Sequence, residues 1–250
     1  MTRSGKQIIY GSVYALILLG LAAWIFLSVS DTEPSCTNGR RDEGEKGVDC
    51  GGVCRNICLP SDLRALRTSG EPKIFQPAPG RVSVLYELEN PNQEFAARSF
   101  AYKLELADAS GEVLASRSGS SYLYAGERRW VAEFLDLAAA ASAKVTLSNP
   151  DWVPKASFPA AALAIQDRIF EKTASELKVS GRVGNRDSSD FASVTLLAIF
   201  RNGSGVPVGV SKTELGDLRV GESSPFTVFH PVVRSVDLNR TEIYPSAKRP

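Results

Sequence analysis

Histidine is all but absent from this chain: His230 is the only one in 250 residues. A Ser-His-Asp triad would have to be built there, and no G-x-S-x-G elbow accompanies it, so His230 reads as a structural or surface histidine beside Pro231 at a strand end. The phosphate loop G-x-x-x-x-G-K-S/T is absent as well. A glycosidase needs only two carboxylates, but no aromatic-rich stretch lies beside an acidic pair to suggest a sugar cleft. The expectation is a protein that is not an enzyme, with no catalytic, cofactor-binding or metal-ligating residues and no cofactor. Charge of one sign is lacking too. With 29 Lys and Arg against 28 Asp and Glu, the net charge of +1 gives no basic field, and nucleic acid is not an expected partner.

Long apolar runs are missing everywhere except once, at residues 8–29 (IIYGSVYALILLGLAAWIFLSV), where 22 positions carry no charge. As a helix rising about 1.5 Å per residue, this run spans roughly 33 Å, enough for a hydrocarbon core of about 30 Å. Arg3 and Lys6 precede it and Asp31 and Glu33 follow, so the positive-inside bias places residues 1–7 in the cytoplasm and the rest of the chain outside. Ser28, Val29 and Ser30 would also suit a signal peptidase, but a signal core runs to about 7–15 apolar residues. Tyr10, Tyr14 and Trp24 further suit the interfaces of a retained span, so the reading is a single-pass transmembrane helix that anchors the chain to a cell membrane.

Cysteine is confined to positions 36, 50, 54 and 58, spaced C-x13-C-x3-C-x3-C. In an oxidising exterior, Cys36, Cys50, Cys54 and Cys58 read as a two-disulfide knot, since so short a segment cannot bury enough apolar surface to fold unaided. Four cysteines allow three pairings, and the sequence does not choose among them. Joining Cys36 to Cys54 and Cys50 to Cys58 keeps both loops larger than a four-residue step. Zinc would favour C-x2-C to C-x4-C pairs, which are lacking. Asp42, Glu43, Glu45 and Asp49 raise calcium, but their spacing misses the D-x-D-x-D-G pattern, and a solvated acidic loop balanced by Arg40, Arg41 and Lys46 is the simpler reading.

Beyond Pro60 the chain repeats itself. Asn90 aligns with Asn185, Gly126-Glu127 with Gly221-Glu222 and Phe134 with Phe229, all at an offset of 95, while Gly111 meets Gly205 at 94 and Phe95 meets Phe191 at 96. A period this long is a duplicated domain. The first copy offers strands at 82–89, 99–107, 112–118, 128–135 and 143–148. The second offers them at 164–172, 177–183, 193–201, 206–215, 224–230 and 237–243, with Asn202-Gly203-Ser204-Gly205 as a hairpin turn. The predicted fold class is mainly β: an N-terminal transmembrane helix (8–29), a small disulfide-rich segment (30–60), and two tandem immunoglobulin-like antiparallel β-sandwiches (61–155 and 156–250). Neither sandwich contains a cysteine, so their cores must rest on aromatic and aliphatic packing. Trp130 and Trp152 are expected in core or interdomain contacts. Asn202 and Asn239 begin glycosylation sequons, which matter only in a host that modifies them.

The segment with VDCGG at 48–52 resembles a small cysteine-rich motif of bacterial and other cell-surface proteins. The repeated pattern of an asparagine, a later phenylalanine, a G-x-V hairpin and a G-E-x-x-x-F strand is similar to the FxLYD-like and LEA14-like families of small exported sandwiches. Together with the anchor, the arrangement resembles uncharacterised single-pass bacterial envelope proteins. That resemblance implies a fold and a location, and no activity. The expected function is non-enzymatic: binding or scaffolding another envelope or surface component, a protein partner, through the tandem sandwiches. The alternatives are an accessory subunit of a membrane assembly, packed through Gly11, Gly20, Ala22 and Ala23, and, less favoured, a hydrolase.

Overall fold

The computed structural model describes the backbone of residues 3–30, 35–233 and 235–250, with side chains over the same ranges apart from 3, 4, 6, 8 and 26–30. The chain forms two compact units, Met1–Pro60 and Ser61–Pro250. Both expected β domains, 61–155 and 156–250, lie within the second unit.

The first unit begins with helix α1 (Arg3–Ser30). Among the described residues, no helix is long and apolar enough to cross a membrane. The expected span at 8–29 runs past the fully described stretch, 9–25, and its ends lie outside the described residues. Within that stretch Tyr10, Leu16, Leu19, Leu21 and Trp24 are all exposed. The cysteine segment that follows is joined by the disulfides Cys36–Cys54 and Cys50–Cys58, with Cα separations of 5.6 and 5.0 Å. Gly52 adopts φ +61°, and a Cβ there would run into the carbonyl of Gly44, so the second glycine of VDCGG is set by a left-handed turn and a close backbone approach together.

The second unit is built from strands. Strands β1 (Arg67–Ala78), β2 (Arg81–Glu89), β3 (Phe95–Ala107), β4 (Val113–Leu123), β5 (Arg128–Asp136) and β6 (Ser142–Pro154) precede a 3-10 turn at Lys155–Ser157. After it come β7 (Leu163–Lys172), β8 (Glu176–Asn185), β9 (Val194–Asn202), β10 (Pro207–Leu215), β11 (Ser223–Pro231) and β12 (Val236–Ser246). They form four three-stranded antiparallel sheets, ordered β1-β2-β5, β4-β3-β6, β11-β8-β7 and β10-β9-β12. Strand β1 has no counterpart among the expected strands, because Gly70, Pro72 and Pro77 interrupt its sequence. It survives as an edge strand whose register against β2 shifts twice, once across Pro72 and once across Pro77.

Side-chain alternation decides which sheets share a core. Val82, Val84, Tyr86 and Leu88 of β2 cluster with Phe100, Leu104 and Leu106 of β3. Val194, Leu196, Ala198 and Phe200 of β9 cluster with Leu177, Val179 and Val183 of β8 and with Phe226 and Val228 of β11. The opposite faces of the same two central strands meet each other: Leu85 of β2 and Ala132 of β5 pack with Leu197 and Ile199 of β9 and Val210 of β10, flanked by Phe75, Trp130, Phe134 and Tyr244. Strands β2 and β9 are therefore buried on both faces, and this is why VSVLYEL and VTLLAIF read as almost unbroken apolar runs.

A second contact joins the two halves. Ala96, Tyr124, Val153 and Phe158 form a small buried cluster, with the Tyr124 and Phe158 rings 4.8 Å apart and Tyr122 set edge-on to both. The Tyr124 hydroxyl donates to the Ala247 carbonyl at 2.8 Å and accepts from the Arg249 amide at 3.1 Å.

The aligned asparagines share one hydrogen-bond pattern. The Asn90 side-chain amide donates to the carbonyls of Phe95 and Tyr124, and its oxygen accepts from the Asn92 amide. The Asn185 amide donates to Ser189 and Leu218, and its oxygen accepts from Asp187. Both asparagines donate their own backbone N–H to the aligned glutamates, Glu127 and Glu222, at 2.9 Å. Each glutamate folds back to accept from the amide three residues earlier, Tyr124 or Arg219, after a left-handed glycine, Gly126 or Gly221. The N-to-GE spacing seen in the sequence is thus the spacing of a loop clamp that closes one end of each half.

Candidate functional site

Three places concentrate polar chemistry. The first is the acidic loop of the cysteine segment. Asp42 Oδ2 accepts from the Ser35 amide at 2.9 Å and from Asn38 Nδ2 at 2.7 Å. The two oxygens of Asp49 accept from the amides of Asn38 and Gly39 at 2.8 Å. Glu45, buried at 6 % exposure, accepts through Oε2 from the amides of Asp42 and Asp49. These carboxylates stand in for backbone pairing that so short a loop lacks, Asp49 through both oxygens and Asp42 and Glu45 through one each. Glu43 faces solvent.

Cys36, Glu45 and Cys54 bring their donor atoms within 4.8 Å of one another, a set that reduced thiols would make metal-like. Here the two sulfurs are bonded to each other. They are not thiolates, the form that binds metal, and Cys54 has no proton to give Glu45 Oε1, which lies 2.9 Å from its sulfur.

The second place is the only histidine. A cleft of about 410 Å³ opens between the halves, with Arg81, Phe134 and Asp136 on one side and Ser211, Phe229 and His230 on the other. His230 is 3 % exposed, stacked on Phe200 at 4.8 Å, with Nδ1 2.9 Å from Ser211 Oγ. Burial lowers its pKa from 6.5 to about 4. Among the described residues, no carboxylate hydrogen-bonds to the ring. A serine-histidine pair without an orienting acid, whose base is neutral and weak at pH 7, has little driving force for activating a hydroxyl. The packing of two sheets on each other explains why the pair forms, since β10 belongs to the β10-β9-β12 sheet and β11 to the β11-β8-β7 sheet.

The third place is the buried clasp of Arg249 on Asp187. The carboxylate also accepts from the amides of Ala162 and Ser188, at 3.0 and 2.7 Å. Burial by itself would raise the Asp187 carboxyl, but those amides and the guanidinium outweigh it and hold the group below the ordinary carboxylate range. Neither Arg249 nor Asp187 belongs to a sequence motif, and no local signal could have paired residues 62 apart. Trp130 lies at the contact between the halves, and Trp152 against the core of the first.

No family model matches this chain, and no curated protein does. Among solved structures, the crystal structure of red sea bream transglutaminase aligns at 13 % identity over 74 % of this chain and 31 % of that one, with a TM-score of 0.24. The chain spans about a third of that protein's length, and so low a score carries no argument about fold or activity.

Proposed function

We propose that this chain is a membrane-anchored extracytoplasmic protein that binds or scaffolds another envelope or surface component and performs no catalysis. The observation that carries the reading is the pair of disulfides, Cys36–Cys54 and Cys50–Cys58, placed between α1 and the β unit. Structural disulfides persist in oxidising compartments, and a segment with so little apolar core depends on them. Helix α1 adds to this: large apolar side chains are exposed on every side of its described stretch, a surface suited to an apolar surrounding. On this reading the anchor is residues 8–29, the N-terminus is cytoplasmic, and the four sheets pair into two tandem immunoglobulin-like sandwiches of an envelope protein. Their mutual packing through Leu85 and Ile199 gives a stiff unit that presents loops and edges to a partner.

Maleimide labelling of intact cells and lysed membranes, before and after reduction, tests the reading. Labelling only after reduction, with the mature chain retaining residues 8–29, is expected. Free thiols reached only after lysis would reverse the topology and reject it.

A further inference from the structure

Where the edge strands β4 and β5 leave a gap, a groove of about 260 Å³ is lined by Tyr86, Tyr102, Tyr122, Trp130, Arg129 and Lys212. Two features of its wall lack a counterpart. Tyr86 is 2 % exposed, and its hydroxyl has no hydrogen-bond partner among the described residues. Buried hydroxyls are normally paired, because leaving one unmade forfeits its hydration without return. Tyr86 lines the groove together with Tyr102, Arg129 and Glu133.

Arg129 is the second. It is 8 % exposed and, among the described residues, forms no salt bridge. Its Nη2 donates to Ser121 Oγ at 2.8 Å and to the Tyr122 carbonyl, and its guanidinium carbon sits 4.0 Å over the Tyr122 ring. The acid on the same wall, Glu133, is already taken, by the Tyr102 hydroxyl at 2.6 Å and by Arg117 at 3.2 Å. Lys212 adds another cation, its Nζ 3.3 Å from the Ala132 carbonyl. A buried arginine without an anion is rare, since desolvating a charge is costly unless a counter-charge offsets it.

We propose that this groove binds a small carboxylate-bearing molecule with an aromatic or apolar body. The carboxylate takes the place of the missing anion beside Arg129 and Lys212 and accepts from the Tyr86 hydroxyl. The body lies against the rings of Tyr122 and Trp130. The inference is independent of membrane location and of any protein partner.

Calorimetric titration of the full chain in detergent tests it, with benzoate as probe and benzamide as its neutral counterpart. Saturable benzoate binding is expected, about tenfold tighter than benzamide or more. Tyr86→Phe should weaken benzoate about five- to tenfold while leaving the thermal midpoint unchanged or higher, because it deletes a hydroxyl that the protein itself does not pair. Lys212→Met, at an exposed position, should weaken it with the fold intact. The proposal is overturned by an absence of saturable benzoate binding, by equal affinity for benzoate and benzamide, or by a Tyr86→Phe variant that loses stability with benzoate affinity unchanged.

Discussion

One nitrogen of Arg249, Nη2, lies 2.6 and 2.5 Å from the two carboxylate oxygens of Asp187. The same arginine donates through Nε to the Pro159 carbonyl and through Nη1 to Ser189 Oγ, and its backbone amide reaches Tyr124 in the first half. A single residue thus ties the segment after β12 to the linker before β7, to the clamp loop of the second half, and to the aromatic cluster of the first.

Breaking this clasp leaves a buried carboxylate with its amide donors only. Arg249→Met is expected to lower stability by about 2 kcal/mol, below the usual cost of halving a fully buried pair because the guanidinium keeps some solvent contact. Asp187 is held below its ordinary pKa, so its contribution is fully present above about pH 4 and is lost as the pH falls through the lowered value. Urea unfolding at neutral and acid pH checks both points: Asp187→Asn should be less stable at pH 7 and flatter in acid.

Asn185→Ala removes two donors to buried carbonyls and one acceptor for a buried amide. A loss of about 3 kcal/mol is expected, and Asn90→Ala should cost at least as much, because its oxygen accepts from Asn92 Nδ2 in addition to the corresponding contacts. Chemical denaturation of the two variants side by side would show this.

Ile199 is fully buried in the cluster that Leu85 also enters at the contact between the halves. Ile199→Ala should cost about 2–4 kcal/mol and lower one shared unfolding transition. Calorimetry resolving two transitions, only one of them shifted, would mean that the halves fold separately.

His230 is buried neutral, with a pKa of about 4 against 6.5 in the unfolded chain. The unfolded state takes up the proton first as the pH falls, so stability is flat above about pH 6.5 and declines from there toward pH 4. Because this is the chain's only histidine, the slope just below pH 6.5 is its signature, and His230→Gln should reduce it there in denaturant titrations, leaving the carboxylate contribution that grows toward pH 5.

Reduction of Cys36–Cys54 and Cys50–Cys58 should unfold the cysteine segment, the disulfide closing the longer loop being worth about 3 kcal/mol, and leave the melting of the β unit unchanged. Thermal scans with and without reductant would separate the two units.

Local pattern made much of this molecule legible. Strands announced themselves through alternation and turn residues, the oxidised knot through cysteine number and crowding, and the duplication through the spacing of Asn90 and Gly126-Glu127 against Asn185 and Gly221-Glu222. Strand β1 escaped because its prolines and glycine, tolerated at an irregular edge, look like loop residues when read alone. Tertiary structure decided what local pattern cannot carry. It gave β2 and β9 a second buried face, chose the disulfide pairing, set Arg249 on Asp187, and, among the described residues, left the Tyr86 hydroxyl unpaired and Arg129 without an anion in one groove. The physical reason is range: propensity and periodicity act over a few residues, whereas sheet stacking and charge pairing depend on which faces meet after the chain has turned back on itself.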